Sequence, residues 1–322
     1  MADCWRRLPW QAKYCTAIFL VLLAASLLAP RPPNPPPPPY DWRLAPEERA
    51  AVPSPRTPWS VFSAEQQTRW ESFQSKLAGE AAAFRAGRGR TRLVLLGDSI
   101  TEAWRGTSYG NPSERTAGVP AVLHQTLGKQ FDASPLVLAI SGDQTQHLLW
   151  RLQRGGELSA EVAADRSVVF VVMIGTNNLG HGHLPGEAAD GVLAVARHLL
   201  SNAAGAVVLS TVLPRGDGGA VLPKLCPPRC NASGLPFRSF LPAVSKLNAR
   251  LDKEAATLSD AYPGRFRLAT CGAPFLATAA EAPEEVKLSL MPDRLHPGAE
   301  GSRILAECFA AAIRSLLDLR RG

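Results

Sequence analysis

Five short aliphatic runs, each ending at a turn of small and polar residues, constrain this chain more than any other feature. They are LVLLG after Arg92, LVLAI at 136–140, SVVFVVMIG at 167–175, AVVLSTV at 206–212 and RFRLAT at 265–270. All are apolar on both alternating faces, as strands are when helices cover both sides of a parallel sheet. Helical patterns fall between them, at 143–154 with Asp143 as the expected N-cap, then at 186–202, 240–259 and 298–319. Repeated strand–helix units of this kind predict a three-layer α/β/α sandwich with about five parallel strands. Ligands of such folds sit beyond the carboxyl ends of the strands, so chemistry is sought in the turns.

Those turns carry an unusual set. Gly97-Asp98-Ser99-Ile100-Thr101 follows the first strand, Ser141-Gly142-Asp143 the second, and Gly175-Thr176-Asn177-Asn178 the third. Asp293-Arg294-Leu295-His296-Pro297 precedes the last helix. Taken singly, such residues are ordinary caps, turns and surface positions. Together at one sheet edge they supply what acyl transfer requires. A serine hydroxyl is a weak nucleophile until a base accepts its proton, and His296 is the candidate base for Ser99. Asp293, three residues earlier, shares a face with it and is placed to hold the imidazole. The backbone N–H groups of Ser99 and Gly142 and the Asn177 amide are candidate donors to the oxyanion formed on attack. Asp98 is expected to bond the neighbouring backbone.

These blocks, GDS, Gly142, GTNN and DxxHP, resemble those of the SGNH (GDSL-like) hydrolases over about residues 90–310. Locally, SGDQTQHLLWRLQRGGEL (141–158), VVMIGTNN, VLPRG and DRLH are similar to the catalytic subunits of the platelet-activating-factor acetylhydrolase group. The resemblance implies a flavodoxin-like fold and ester hydrolysis through an acyl-serine, with no metal and no cofactor. It places Ser99, Asp293 and His296 in the triad, Ser99, Gly142 and Asn177 in the oxyanion hole, and Ile100, Thr176 and Leu295 around the acyl group. Bulky aliphatic neighbours there favour a short acyl chain, acetyl above all. GDSI stands where the family name has GDSL, and Gly-x-Ser-x-Thr is not the elbow of an α/β-hydrolase. The resembled subunits pair, so a homodimer is a further implication. Acyl transfer to a glycan hydroxyl, glycan O-acetyl hydrolysis and a silent binding domain are the alternatives.

The first sixty residues read differently. Arg6, Arg7 and Lys13 precede an uncharged run from Tyr14 to Pro30, about 26 Å long as a helix. With charges before the run, a single-pass signal anchor at 15–30 leaves residues 1–14 cytosolic and the rest in the lumen of the endoplasmic reticulum or Golgi. A cleaved signal peptide, giving a secreted protein, and an organelle transit peptide are the other readings. Twelve prolines between Pro30 and Pro58 predict an extended stalk over 31–60, followed by a hydrolase domain at 61–322. Asn231-Ala232-Ser233 is a glycosylation sequon if luminal, and Cys226 and Cys230 are either a disulfide or two thiols. Cys271 and Cys308 are dispersed.

The net charge of +7 arises from 35 basic and 28 acidic residues without a dense basic run, which excludes nucleic acid as the expected partner. His181-Gly182-His183 is a weak metal pattern lacking a third ligand. Trp104 and Tyr109 are read as entrance or core. Trp150 is read as core, and Arg151 as a structural ion-pair partner.

Overall fold

Parallel strands buried on both faces need apolar side chains on both, and the central strands here are built that way, while the edge strand Phe266–Ala269 exposes Arg267. In the computed structural model, β1 (Arg92–Gly97), β2 (Leu136–Ala139), β3 (Val168–Met173), β4 (Ala206–Ser210) and β5 (Phe266–Ala269) form one sheet. Its order is β2-β1-β3-β4-β5, with every neighbour parallel. The structure describes residues 49–56, 64–85, 90–216, 233–235, 239–278 and 286–320.

Alternation divides the core in two. Val94, Leu96, Leu138, Phe170, Val172, Val207 and Leu209 face one side. They pack under α1 (Ala64–Ala82), α3 (Thr145–Gln153), α4 (Pro185–Asn202) and α5 (Leu241–Ala261). Leu93, Leu95, Val137, Val169, Val171 and Val208 face the other, under α6 (Ala299–Leu319) and the helical stretch 119–128. At roughly 1.5–3 kcal/mol per fully buried aliphatic side chain, this double burial is the main force closing the fold.

The boundaries follow the sequence pattern to within about two residues, with two differences. Asp143 does not cap α3: Gln144 does, in a reciprocal pair with His147, whose Nδ1 accepts from the Gln144 N–H at 3.1 Å. Asp143 is instead drawn inward to two guanidinium groups (below). The second is α1, which sequence reading leaves out. Its Trp70, Phe73, Leu77 and Ala81 form the buried stripe of an otherwise polar helix.

β1 is flanked by β2 on one side and β3 on the other, so the chain leaves β1 at the point where the strand order reverses. Crevices form at such switch points. Gly97 ends β1 under tight contact: a Cβ there would lie 2.3 Å from Met173 O and 2.3 Å from Thr101 Oγ1. Only glycine lets the chain turn directly from β1 into α2 (Ser99–Glu102).

Residues 49–56, within the stretch read as stalk, pack against this domain. The run 15–30, Cys226, Cys230 and Asn231 lie outside the described residues. Among the described residues no helix is long and apolar enough to cross a membrane.

Candidate active site

Ser99 opens α2, with Asp98 as N-cap accepting from Ile100 N–H at 3.0 Å. A helix start directs free N–H groups outward, so the serine stands where backbone donors converge. Asp98 is almost wholly buried. Burial pushes its carboxyl up to about 7; the Ile100 hydrogen bond opposes the shift and the Asp143 charge adds to it.

His296 reaches across the sheet edge from the turn before α6. Its Nε2 lies 2.9 Å from Ser99 Oγ. Its Nδ1 lies 2.6 Å from Asp293 Oδ2. The other carboxylate oxygen, Asp293 Oδ1, accepts the backbone N–H of Leu295 at 3.0 Å and of His296 at 2.7 Å. One carboxylate therefore builds the turn and orients the ring. Partial burial alone would raise the Asp293 pKa, but the ring and backbone hydrogen bonds from His296 outweigh it and hold the group ionised well below the usual carboxylate range. Arg294 adopts φ 66°, and its N–H and C=O are tied to Met291 O and Gly216 N–H. That geometry turns the chain tightly enough for residues 293 and 296 to meet.

The third and fourth corners come from β2 and β3. Gly142 has φ 78°. A Cβ there would collide with Arg56 Nη2 at 2.5 Å and approach Tyr109 OH at 3.0 Å. Asn177 donates one amide hydrogen to Asp143 O at 2.9 Å, which sets the amide beside the Asp143–Gln144 peptide, next after Gly142, and leaves the second hydrogen to donate elsewhere. Asn178 locks the same loop to the start of α3: its Oδ1 accepts Thr145 N–H at 3.0 Å and its Nδ2 donates to Thr145 Oγ1 at 3.0 Å.

The residues that sequence singled out for the triad, the oxyanion hole and the acyl side come from the turns at this edge. Ile100 is buried in the second core cluster beneath Ser99. Thr176 is buried, and Arg215 donates to its carbonyl at 3.0 Å. Leu295 is half-buried between Asp293 and His296. Trp104 belongs to the core, whereas Tyr109 stands against Gly142. Trp150 packs on the first core cluster, 5.8 Å from the Trp70 ring centroid. Arg151 is an ion-pair partner, fully buried between Asp143, at 2.8 Å, and Glu157. His181 Nδ1 bonds Asn177 O, and His183 Nδ1 bonds the Asn178 amide. Among the described residues no cluster of three or more His, Cys, Asp or Glu could hold a metal ion.

The model of the GDSL-like lipase/acylhydrolase family matches residues 95–304, nearly two thirds of the chain. This chain belongs to the GDSL-like lipase/acylhydrolase family. That is a family of carboxylic ester hydrolases, and the match runs from β1 through the serine to the first turns of α6. The platelet-activating factor acetylhydrolase IB subunit alpha1 of Homo sapiens is 39% identical over 83 residues, 26% of this chain and 33% of that protein. The alpha2 subunit of Gallus gallus is 38% identical over 79 residues, 24% of this chain and 31% of that protein. This chain thus aligns with about a third of the length of the curated relatives it matches. A solved structure described as a platelet activating factor from Streptococcus pneumonia superposes with TM-score 0.52 at 17% identity, covering 76% of this chain and 92% of that one. That likeness establishes the flavodoxin-like α/β/α fold.

Three supports of this GDSL-like site are not evident in the sequence. Glu102 is fully buried. Its carboxylate accepts from Ser141 N–H and Oγ at 2.7 Å each, from Gly110 N–H at 2.8 Å and from Tyr109 N–H at 3.1 Å, so it joins the serine helix to the Gly142 loop. Arg56 arrives from upstream of the domain. The disulfide Cys271–Cys308 ties the exit of β5 to α6, the helix that begins just after His296. Glu102 lies one helical turn after Ser99, and that spacing is the one signal a sequence reading could have used.

Proposed function

We propose that this protein is a serine esterase that removes short acyl groups, acetyl foremost, from an ester substrate through an acyl-serine. The observation that carries the reading is the unbroken relay of Ser99 Oγ to His296 Nε2 at 2.9 Å and His296 Nδ1 to Asp293 Oδ2 at 2.6 Å. Both distances suit proton transfer to a base held by a third group. Ser99 Oγ bonds to the acyl carbon while His296 takes its proton. The negative charge moves to the former carbonyl oxygen, facing the Ser99 and Gly142 N–H groups and the Asn177 amide. Collapse expels the alcohol, which takes the proton from His296. Water, deprotonated by His296, then releases the carboxylic acid and restores the serine. Asp293, kept ionised by its hydrogen bonds, stabilises the imidazolium in both halves.

Ile100, Thr176 and Leu295 are assigned to the acyl side. Aliphatic bulk beside the nucleophile limits chain length, though each methylene is worth only about 1–3 kcal/mol of discrimination. The Cys271–Cys308 disulfide supports a luminal or secreted setting, because such bonds persist in oxidising compartments. A single-pass anchor at 15–30 is consistent with that placement.

The test is direct. The full chain should hydrolyse p-nitrophenyl acetate faster than the octanoate and take up a fluorophosphonate at Ser99. Ser99→Ala should abolish both. Turnover that survives in Ser99→Ala would sink the acyl-serine, and equal acetate and octanoate rates would sink the short pocket.

A further inference from the structure

Residues 49–56, the described part of the proline-rich stretch, are built into the site. Thr145 Oγ1 donates to Ala50 O at 2.7 Å, Ser54 N–H to Gln146 O at 3.2 Å, and Gln67 Nε2 to Arg56 O at 2.7 Å. The fit is close enough that a Cβ on Gly191 would stand 2.6 Å from Ala50 O. These contacts deliver Arg56 into the interior, where it is 3% exposed. Its Nη2 donates to Ser141 O at 2.8 Å, its Nη1 to Tyr109 OH at 3.1 Å, and its Nε lies 3.3 Å from Asp143 Oδ1.

Those three partners surround Gly142. Ser141 O belongs to the very peptide whose N–H is the Gly142 donor, so the guanidinium sets the orientation of that peptide plane. A buried guanidinium is retained where its charge is matched, and Asp143 matches it. The planar fork fixes several acceptors at set angles, which a lysine ammonium cannot do.

We propose that Arg56 is a positioning residue that aims the Gly142 N–H at the oxyanion, so that the catalytic unit begins upstream of the first strand, in the proline-rich stretch. This rests on the acyl-serine reading above. Because an oxyanion donor acts in the transition state more than on bound substrate, its loss should fall on kcat and spare KM.

The test uses the full chain carrying Arg56→Ala or Arg56→Lys, assayed with p-nitrophenyl acetate beside the unsubstituted protein. Both variants should lose about 10²-fold in kcat with little change in KM. Free guanidinium ion should restore part of the kcat of Arg56→Ala and none of that of Arg56→Lys. Should Arg56→Ala fail to fold, the Lys variant, which keeps the charge, decides alone. A folded variant within about threefold of the parent in kcat overturns the proposal. Fluorophosphonate labelling of the parent separates the two ideas. An unlabelled parent defeats the acyl-serine itself, whereas a labelled parent with unimpaired Arg56 variants defeats only the role of Arg56.

Discussion

At Ser99 the neighbouring carboxyl does work of a different kind from the triad. Asp98 caps α2 from a position with almost no solvent, and its pKa is pushed up to about 7 mainly by that burial. In the unfolded chain the same group ionises near 3.9. Below that pH both states are protonated. As pH rises from about 4 to about 7 only the unfolded state loses its proton, so stability falls through this window, by a few kcal/mol at most. Asp98→Asn keeps the cap acceptor and cannot ionise. Its stability relative to the parent should therefore rise between pH 5 and pH 8, as urea unfolding at the two values would show. A constant difference across that range would mean that Asp98 carries no unusual titration. The cluster of Ser99, His296 and Asp293 was legible because the first follows a recognisable strand and the other two stand in a DxxHP turn before the last helix. Glu102, Arg56 and Asp143 were not, because nothing in a sequence distinguishes a buried, satisfied charge from a solvated one.

The elements tell the same story at larger size. β1 to β5 were legible because burial on both faces forces unbroken aliphatic runs, and α6 because its apolar stripe follows a Pro-Gly start. The short α1 stripe of Trp70, Phe73, Leu77 and Ala81 was readable in principle but diluted by polar neighbours. What no periodicity encodes is the polar joint between sheet and α3. There Trp70 Nε1 donates to Asp143 Oδ1 at 2.8 Å, and Arg151 bridges Asp143 and Glu157 while also donating to Gly97 O at 3.2 Å. One side chain thus braces β1, α3 and the Gly142 loop. Burial and the charge of Arg56 hold the nearby His147 pKa well below its ordinary value, so the ring stays neutral and can accept the Gln144 N–H. Arg151→Met would leave the buried Glu157 without its guanidinium and Asp143 with Arg56 as its remaining one. It should cost about 3–5 kcal/mol, seen as a lower urea midpoint, and an unchanged midpoint would show that the joint is dispensable.

Across the whole molecule the parallel sheet and layer count followed from the alternating strand–helix pattern, whereas the strand order and the long-range staples did not. Cys271 and Cys308 sit 37 residues apart, with no spacing motif to pair them. Closing a loop of that size is worth about 2–4 kcal/mol through the unfolded chain. The double variant Cys271→Ser, Cys308→Ser should melt correspondingly lower than the parent. Added reductant should lower the parent and leave the variant unmoved. A parent indifferent to reductant would argue against the bond.

The relay also has a temporal side. Ser99 and His296 are 197 positions apart, and β1 cannot be flanked until β2 and β3 have been made. At synthesis speeds of about 5–20 residues per second, the histidine is made about 10–40 s after the serine. Throughout that interval the growing polypeptide carries the Ser99 hydroxyl without the imidazole it meets in the fold. Hydrolysis through this relay is thereby withheld until His296 has been made, so a growing chain that still lacks it cannot attack the esters around it.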